Sequence, residues 1–448
     1  MSIDLHNSKA WTRRQFLHTG LMMTSATLTI PMFLQRSASA MSLQAAGRRS
    51  VPGVPDERVL VVIQLGGGND GLNTVVPFGD ANYYRARPGI AIPERQVLRL
   101  GSDHAVGLHP TMTGLKDLYD SGLLSVVQGV GYPNPNRSHF ASMDIWQTAN
   151  TSGVGDGWLG RFFDNQCSGS PAADARTQNS QCGEIGIALG REAPLAMQGR
   201  QIKPISFESP ELFRWVGSDL HELLGSSYDE LTGISAHREG HAPPASGHHA
   251  GSNAEFLTRT SLDAQVASEK IRAAVAKGTG ANYPNTGLGR QLAMISAMIH
   301  AGLETRVYYA TLGGFDTHAG QGGAQGQHAN LVRQFSDAIK AFYDDLGATG
   351  HDQRVLTMSF SEFGRRVSQN GSNGTDHGTA APMFLAGPMV RPGLLGDHPS
   401  LSDLDNGDLK FNLDFRSVYA GLLQDWLKAD DRQILRGSFR PARVVASK

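Results

Sequence analysis

The chain has 448 residues, enough for a sizeable core, and 40 Lys+Arg against 41 Asp+Glu leave a formal net charge of −1. That balance lacks the basic excess with which a nucleic-acid binder neutralises phosphates, so no nucleic-acid partner is expected. A polar small molecule, a glycan or a protein fits better.

The first forty residues read as a targeting segment. Arg13-Arg14 precede an apolar stretch from Gly20 to Leu34, which ends at the small residues Ala38-Ser39-Ala40. This resembles a twin-arginine export signal cleaved after Ala40, which implies the twin-arginine translocase as a partner and a periplasmic or extracellular destination. The apolar stretch, about 15 residues long and broken by Pro31, is too short for a comfortable span, so no stable membrane span is expected after cleavage. Residues 41–56 read as a linker. Cys167 and Cys182 suit an oxidising compartment, and a bridge between them would close a short loop, contributing roughly 3 kcal/mol in the chain-entropy picture.

Residues 59–65 are a short apolar, β-branched run, which predicts a buried strand. Gly66-Gly-Gly-Asn-Asp70-Gly follows and matches the dinucleotide pattern G-x-G-x-x-G by letter. The context fails: Leu-Asn-Thr-Val-Val-Pro predicts an extended continuation where a phosphate-binding helix should begin, and Asp70 would repel a pyrophosphate. A strand-end acid suits a cation better, and a plain turn satisfied by its own Asn and Asp is the alternative.

Helical spacing predicts a helix over 111–120, and Leu124-Ser-Val-Val predicts a second strand. The loop 131–138 then leads to a helix over about 139–149 with Ser138 at its N-cap. There the Ser138 hydroxyl either bonds an orphan amide or serves as a nucleophile favoured by the helix terminus. Arg137 could hold an oxyanion, and His139 could shuttle a proton or ligate a metal. A glycine-rich turn leads into a helix near Trp158 and Arg161. Residues of about 235–254, rich in His, Pro and Gly, predict a flexible insertion.

Further helices are predicted over 255–276, 287–303 and 326–346, and strands over 305–312 and 354–360. The first of these strands runs into Asp316-Thr-His318 and the second into Ser361-Glu362-Phe363. A loop carries Asp376-His377, a short strand begins at Met383, and a C-terminal helix runs to about Lys428. Strands separated by helices predict a single α/β domain over 57–430, with a mostly parallel central sheet covered by helices on both faces and a tail over 431–448. Asp70, Asp316, His318, Glu362, Asp376 and His377 then gather along one sheet edge as candidate ligands for zinc, manganese or iron, with magnesium or calcium suited if oxygens dominate.

Six separated motifs keep their order here: 65–71, Arg137-Ser-His-Phe, Gly157-Trp-Leu-Gly-Arg, Phe315-Asp-Thr-His, Ser361-Glu-Phe-Gly-Arg-Arg and Gly374-Thr-Asp-His-Gly. Together they resemble the exported bacterial family called domain of unknown function 1501, related to the alkaline phosphatase and sulfatase superfamily. The resemblance implies an alkaline-phosphatase-like fold, one or two divalent metals (zinc, manganese or calcium), Ser138 as nucleophile, Arg137 or Arg161 on the transferring oxygens and a small-molecule or glycan ester as substrate. Asp70, Asp316, His318 and His377 fall at metal-ligand places, with Glu362 or Asp376 as the second-site carboxylate. The implied activity is hydrolysis or transfer of a phosphate or sulfate ester. The alternative is a non-catalytic exported binding protein on a degenerate fold, for which Phe363 beside Glu362 and the close Asp316-x-His318 spacing argue.

Overall fold

The computed structural model describes residues 58–101, 105–167, 184–211, 213 and 266–446. The export signal, the linker, the insertion of about 235–254, Cys182 and residues 255–265 lie outside the described residues.

Strand β1 (Val59–Leu65) is buried on both faces because its apolar side chains alternate between two cores. Val59, Val61, Ile63 and Leu65 join one core; Leu60 and Val62 join the other. The remaining strands of the nine-stranded sheet are β2 (Leu124–Gly131), β3 (Gly186–Leu189), β4 (Ile205–Phe207), β5 (Val307–Leu312), β6 (Val355–Phe360), β7 (Ala381–Ala386), β8 (Gly393–Leu395) and β9 (Leu413–Asp414). Their order is β8-β2-β7-β6-β1-β5-β3-β4, with β9 also on β2. Every pairing is parallel except those of β7, which runs antiparallel to both neighbours. The mostly parallel α/β sheet expected from the sequence is therefore present.

The helices divide between the faces. Helix α1 (Thr113–Asp120), α4 (Gly287–His300) and α5 (Gln327–Ala348) pack on the core that holds Val61 and Ile63. Helix α2 (His139–Thr148), α3 (Trp158–Cys167) and α6 (Phe415–Gly421) pack on the other. Thr286 starts α4 by accepting from the Gly289 amide, and Asp414 starts α6 by accepting from Arg416. Within the stretch read as a C-terminal tail, Val444 is buried and Val445 bridges to Val390.

Register brings the functional loops together. Leu65 pairs with Leu312 on one side, and Gln64 pairs with Phe360 on the other. The three strands thus end almost level, and the loops after β1, β5 and β6 leave the sheet side by side. Among the described residues no helix is long and apolar enough to cross a membrane.

Trp146 of α2 stacks on Phe415 of α6 at 4.3 Å and on Phe360 of β6 at 5.3 Å between ring centroids, anchoring α2 above the strand ends. Trp146→Ala is expected to cost about 3–5 kcal/mol in denaturant unfolding, the usual range for emptying a core of a large aromatic ring.

Candidate metal centre at the sheet edge

The loop after β1 turns sharply because Gly67 (φ 115°) and Gly68 (φ 75°) adopt conformations that disfavour side chains. A Cβ on Gly67 would lie 2.5 Å from the Asp316 amide nitrogen, and one on Gly68 would lie 2.4 Å from the Phe363 ring. The glycines therefore let three loops approach one another.

At that meeting point three imidazoles aim at one carboxylate oxygen. Asp316 Oδ1 lies 3.0 Å from His318 Nε2, 3.2 Å from His377 Nε2 and 3.5 Å from His139 Nε2. The donor atoms of His139, Asp316 and His377 all lie within 4.8 Å of one another. Helix α2 supplies His139 in its first turn, the loop after β5 supplies Asp316 and His318, and the loop before β7 supplies His377.

The other nitrogen of each ring is already engaged. His139 Nδ1 donates to Glu362 Oε1 at 2.8 Å, His318 Nδ1 to Asp376 Oδ1 at 3.2 Å, and His377 Nδ1 to the Arg137 carbonyl at 2.8 Å. An oxygen that only accepts fixes the proton on Nδ1 and leaves Nε2 as a lone pair. All three Nε2 atoms lie within 3.5 Å of Asp316 Oδ1. His318 Nε2 and His377 Nε2 are 2.9 Å apart, and His139 Nε2 is buried without a hydrogen-bond partner. A cation held by His139, Asp316 and His377 would satisfy the unpartnered His139 Nε2; around tetrahedral zinc, with bonds near 2.0–2.1 Å, donors would sit about 3.3 Å apart. The donor set fits a metal.

Asp316 is held ionised. Burial works against its charge, but the hydrogen bond and the positive charge of Arg365 outweigh it and bring the carboxyl down to about 2. Arg365 Nη2 lies 2.7 Å from Asp316 Oδ1. Asp376 is likewise lowered, first by the hydrogen bond from Asn370. The centre is open to solvent: the side chains of Asp316 and His318 are 47% and 44% exposed.

Three acids expected as ligands have other places. Asp70 is fully buried, its Oδ2 2.6 Å from Arg87 Nη1 and 2.5 Å from Gln321 Nε2. The loop curls inward after Gly68 into a helical turn, Gly71–Thr74, which carries Asp70 under the centre instead of into it. Burial raises the Asp70 pKa, but the charge and hydrogen bond of Arg87 prevail, and the carboxyl lies below its usual range. Glu362 and Asp376 orient histidines, and Glu362 Oε1 also accepts from the Gly67 amide at 2.8 Å.

Of the residues expected to act on substrate, Ser138 is exposed at the N-terminus of α2, and its hydroxyl makes no capping hydrogen bond. Arg137 pairs with buried Asp408, which Arg366 Nε also approaches at 3.4 Å. Arg161 is buried elsewhere and donates to the backbone oxygens of Thr148, Asp156 and Ile434, so it does not reach the centre. Phe363 packs beneath the rings of His139 and His377, at 4.9 and 4.8 Å between centroids.

Sequence reading missed Arg87, Arg365 and Gln321. Arg365 stood inside a motif, but nothing local marks an arginine that folds back over three loops. His139, expected to shuttle a proton or ligate, lies with the candidate donors.

An α/β protein with histidines gathered around an aspartate at its sheet edge, where His139, Asp316 and His377 could hold a metal ion, is the class these observations define. Residues 235–435 match the family model described as "Protein of unknown function (DUF1501)", and over that stretch the family resemblance read from the motifs holds. No curated protein matches the sequence. Among solved structures, the chain is similar to the integral membrane lipooligosaccharide phosphoethanolamine transferase A (EptA) from Neisseria meningitidis, at TM-score 0.32 and 9% identity over 84% of this chain and 55% of that one. The chain thus spans about half of that protein's length. It is similar also to the soluble domain of that transferase (TM-score 0.32, 10% identity, 78% and 80% covered) and to Ps i-CgsB in complex with k-i-k-neocarrahexaose (TM-score 0.33, 10% identity, 85% and 75% covered). Similarities of this size carry no argument about chemistry, which rests here on the side chains.

Beneath the centre, His328 is fully buried, with Nε2 3.1 Å from Asn69 Oδ1. Burial is the main cause that brings its pKa down to about 4, and Asp70 only partly opposes this. The folded value lies below the unfolded one of about 6.5, so on acidification the unfolded chain binds the proton first. His328 therefore stabilises the fold fully above pH about 6.5, and that contribution falls by about 1.4 kcal/mol per pH unit until roughly pH 4. Denaturant titrations at several pH values in this window are expected to show a shallower pH slope in His328→Gln than in the parent protein.

Proposed function

We propose that the protein is an exported metal-dependent hydrolase or transferase of phosphate or sulfate esters, with His139, His318, His377 and Asp316 holding one divalent cation and Ser138 as nucleophile. The observation that carries this reading is the convergence of three Nε2 lone pairs on Asp316 Oδ1 while each Nδ1 is held by an oxygen. Three imidazoles and a carboxylate suit zinc, with manganese or iron next. Calcium prefers six to eight oxygens and finds too few here. When bound, the cation supplies Lewis acidity that draws charge from a coordinated ester oxygen or hydroxyl.

The chain's own residues supply the rest. Ser138 stands at the N-terminus of a ten-residue helix, where amides and the helix dipole favour an anionic group. Its hydroxyl is free of a capping bond and adjoins His139 in the chain. Attack forms a bond from Ser138 Oγ to phosphorus or sulfur as the hydroxyl proton passes to solvent, and breaks the bond to the ester's leaving oxygen, which takes a proton from solvent; water or an acceptor hydroxyl, losing its own proton to solvent, then takes the group and Ser138 Oγ is reprotonated. Two guanidiniums, Arg137 and Arg366, share the single carboxylate of Asp408, which leaves positive charge at the rim to attract an anionic ester. The close Asp316-x-His318 spacing, which argued for a non-catalytic binder, does not divide the pair, because both side chains reach the same point.

Purified protein is expected to carry one metal equivalent by elemental analysis, and His377→Ala to lose it. Ser138→Ala should keep the metal while turnover of aryl phosphate and aryl sulfate esters falls roughly a thousandfold or more. Metal-free wild-type protein with an intact fold, or full turnover in Ser138→Ala, contradicts the reading. Export through the twin-arginine route is part of the proposal. Replacing Arg13-Arg14 by two lysines should shift the protein from the periplasmic to the cytoplasmic fraction of a bacterial host.

A further inference from the structure

Between the two loops that carry His318 and His377 lies a side chain that touches neither histidine. Gln321 is fully buried, and each atom of its amide is engaged. Its Oε1 accepts from Thr317 Oγ1 at 3.0 Å and from Thr375 Oγ1 at 2.6 Å, and its Nε2 donates to Asp70 Oδ2 at 2.5 Å. Thr317 stands between Asp316 and His318 in the chain, and Thr375 is two residues before His377. One amide thus ties together the neighbours of three of the four converging donors.

We infer that Gln321, oriented by the buried Asp70–Arg87 pair, is the positioning residue that sets the spacing of the two ligand loops and hence the affinity and geometry of the metal centre. This rests on the metal reading above. The orientation of the amide is determined: Asp70 is ionised and only accepts, so it takes the NH2 group, and the carbonyl oxygen must then face the two hydroxyls. A flipped amide would set Oε1 against the carboxylate. Arg87 fixes that carboxylate through a 2.6 Å contact between two side chains with no solvent exposure. Asp70 therefore acts on the centre at a distance, through Gln321 and two hydroxyls.

The backbone also joins the loops, since Gln321 N donates to the Asn373 carbonyl at 3.0 Å and Thr375 N to the Thr317 carbonyl at 3.1 Å. Those bonds set the loops' alignment along their length. The amide bridge adds the sideways spacing, which determines whether His318 Nε2 and His377 Nε2 both reach a cation. Groups that hydrogen-bond metal ligands directly contribute tenfold to a hundredfold in affinity, and that range is the upper bound for a bridge between the ligands' chain neighbours.

The test uses full-length protein stripped of metal and titrated with zinc against a chromophoric chelator, with cobalt loading to read the ligand field. Thr375→Val keeps the side chain's shape and removes one hydroxyl; zinc affinity is expected to fall about tenfold. Gln321→Met is expected to weaken zinc by about tenfold to a hundredfold and to shift the cobalt absorption bands. The double variant should be no weaker than Gln321→Met alone, because both changes act through the same amide. Leu346→Ala, a core substitution in α5, serves as control and should lower the melting temperature without changing zinc affinity. Wild-type affinity and spectrum in Thr375→Val and Gln321→Met overturn the inference, as does an equal loss of affinity in Leu346→Ala. A wild-type protein that binds no zinc overturns the metal reading itself.

Discussion

Arg365 is the constraint on which the site depends. Its buried guanidinium donates to the carbonyls of Gly67, Gly68, Phe315 and Thr375 and to Asp316 Oδ1. A parallel sheet can bring strand ends to one edge, but the loops that follow leave carbonyls that need partners once buried. A guanidinium presents five donors in a fixed fork and suits a place where several loops converge. Desolvating that charge is costly, and the Asp316 carboxylate together with the carbonyl dipoles offsets the cost. The group that satisfies the loops is thus also the group that keeps Asp316 ionised.

The acids around the centre divide the work by depth. Asp316 is half-exposed and faces the three Nε2 atoms, Glu362 and Asp376 each turn one imidazole, and Asp70 lies underneath with Arg87. The same residue type does three different things because solvent and neighbouring cations differ at each depth. Asp70 could not stand buried without Arg87, since an isolated carboxylate there would protonate. Arg87 in turn donates to the backbone of Arg366 and Val367, which fastens the segment after β6 to the loop after β1.

Helix α2 connects the centre to the other face of the sheet. Its first residue, His139, is one of the candidate metal donors, whereas Trp146 is stacked in the core between Phe360 and Phe415. Ser142, one turn on, bonds the Tyr132 hydroxyl at 2.7 Å and donates to the Glu362 carbonyl. Core packing and ligand placement are therefore coupled within ten residues, and a change in how α2 seats on the sheet moves His139.

The sequence by itself determined the mostly parallel α/β architecture, because periodicity and strand length are local properties: the buried run 59–65, the amphipathic face of α5 and the glycines after β1 are visible without partners. It also marked the loops whose residues meet at the sheet edge, since polar clusters ended three predicted strands. Roles within that edge were decided by tertiary structure alone. Asp70 and Asp316 look alike as strand-end acids, and only the inward turn after Gly68 and the arrival of Arg87 separate a buried ion pair from an exposed donor. Glu362 and Asp376 became orienting groups because His139 and His318 present Nδ1 to them. Which oxygen or nitrogen faces which neighbour depends on distant chain segments, 240 residues apart for His377 and the Arg137 carbonyl, and that is geometry no local pattern records.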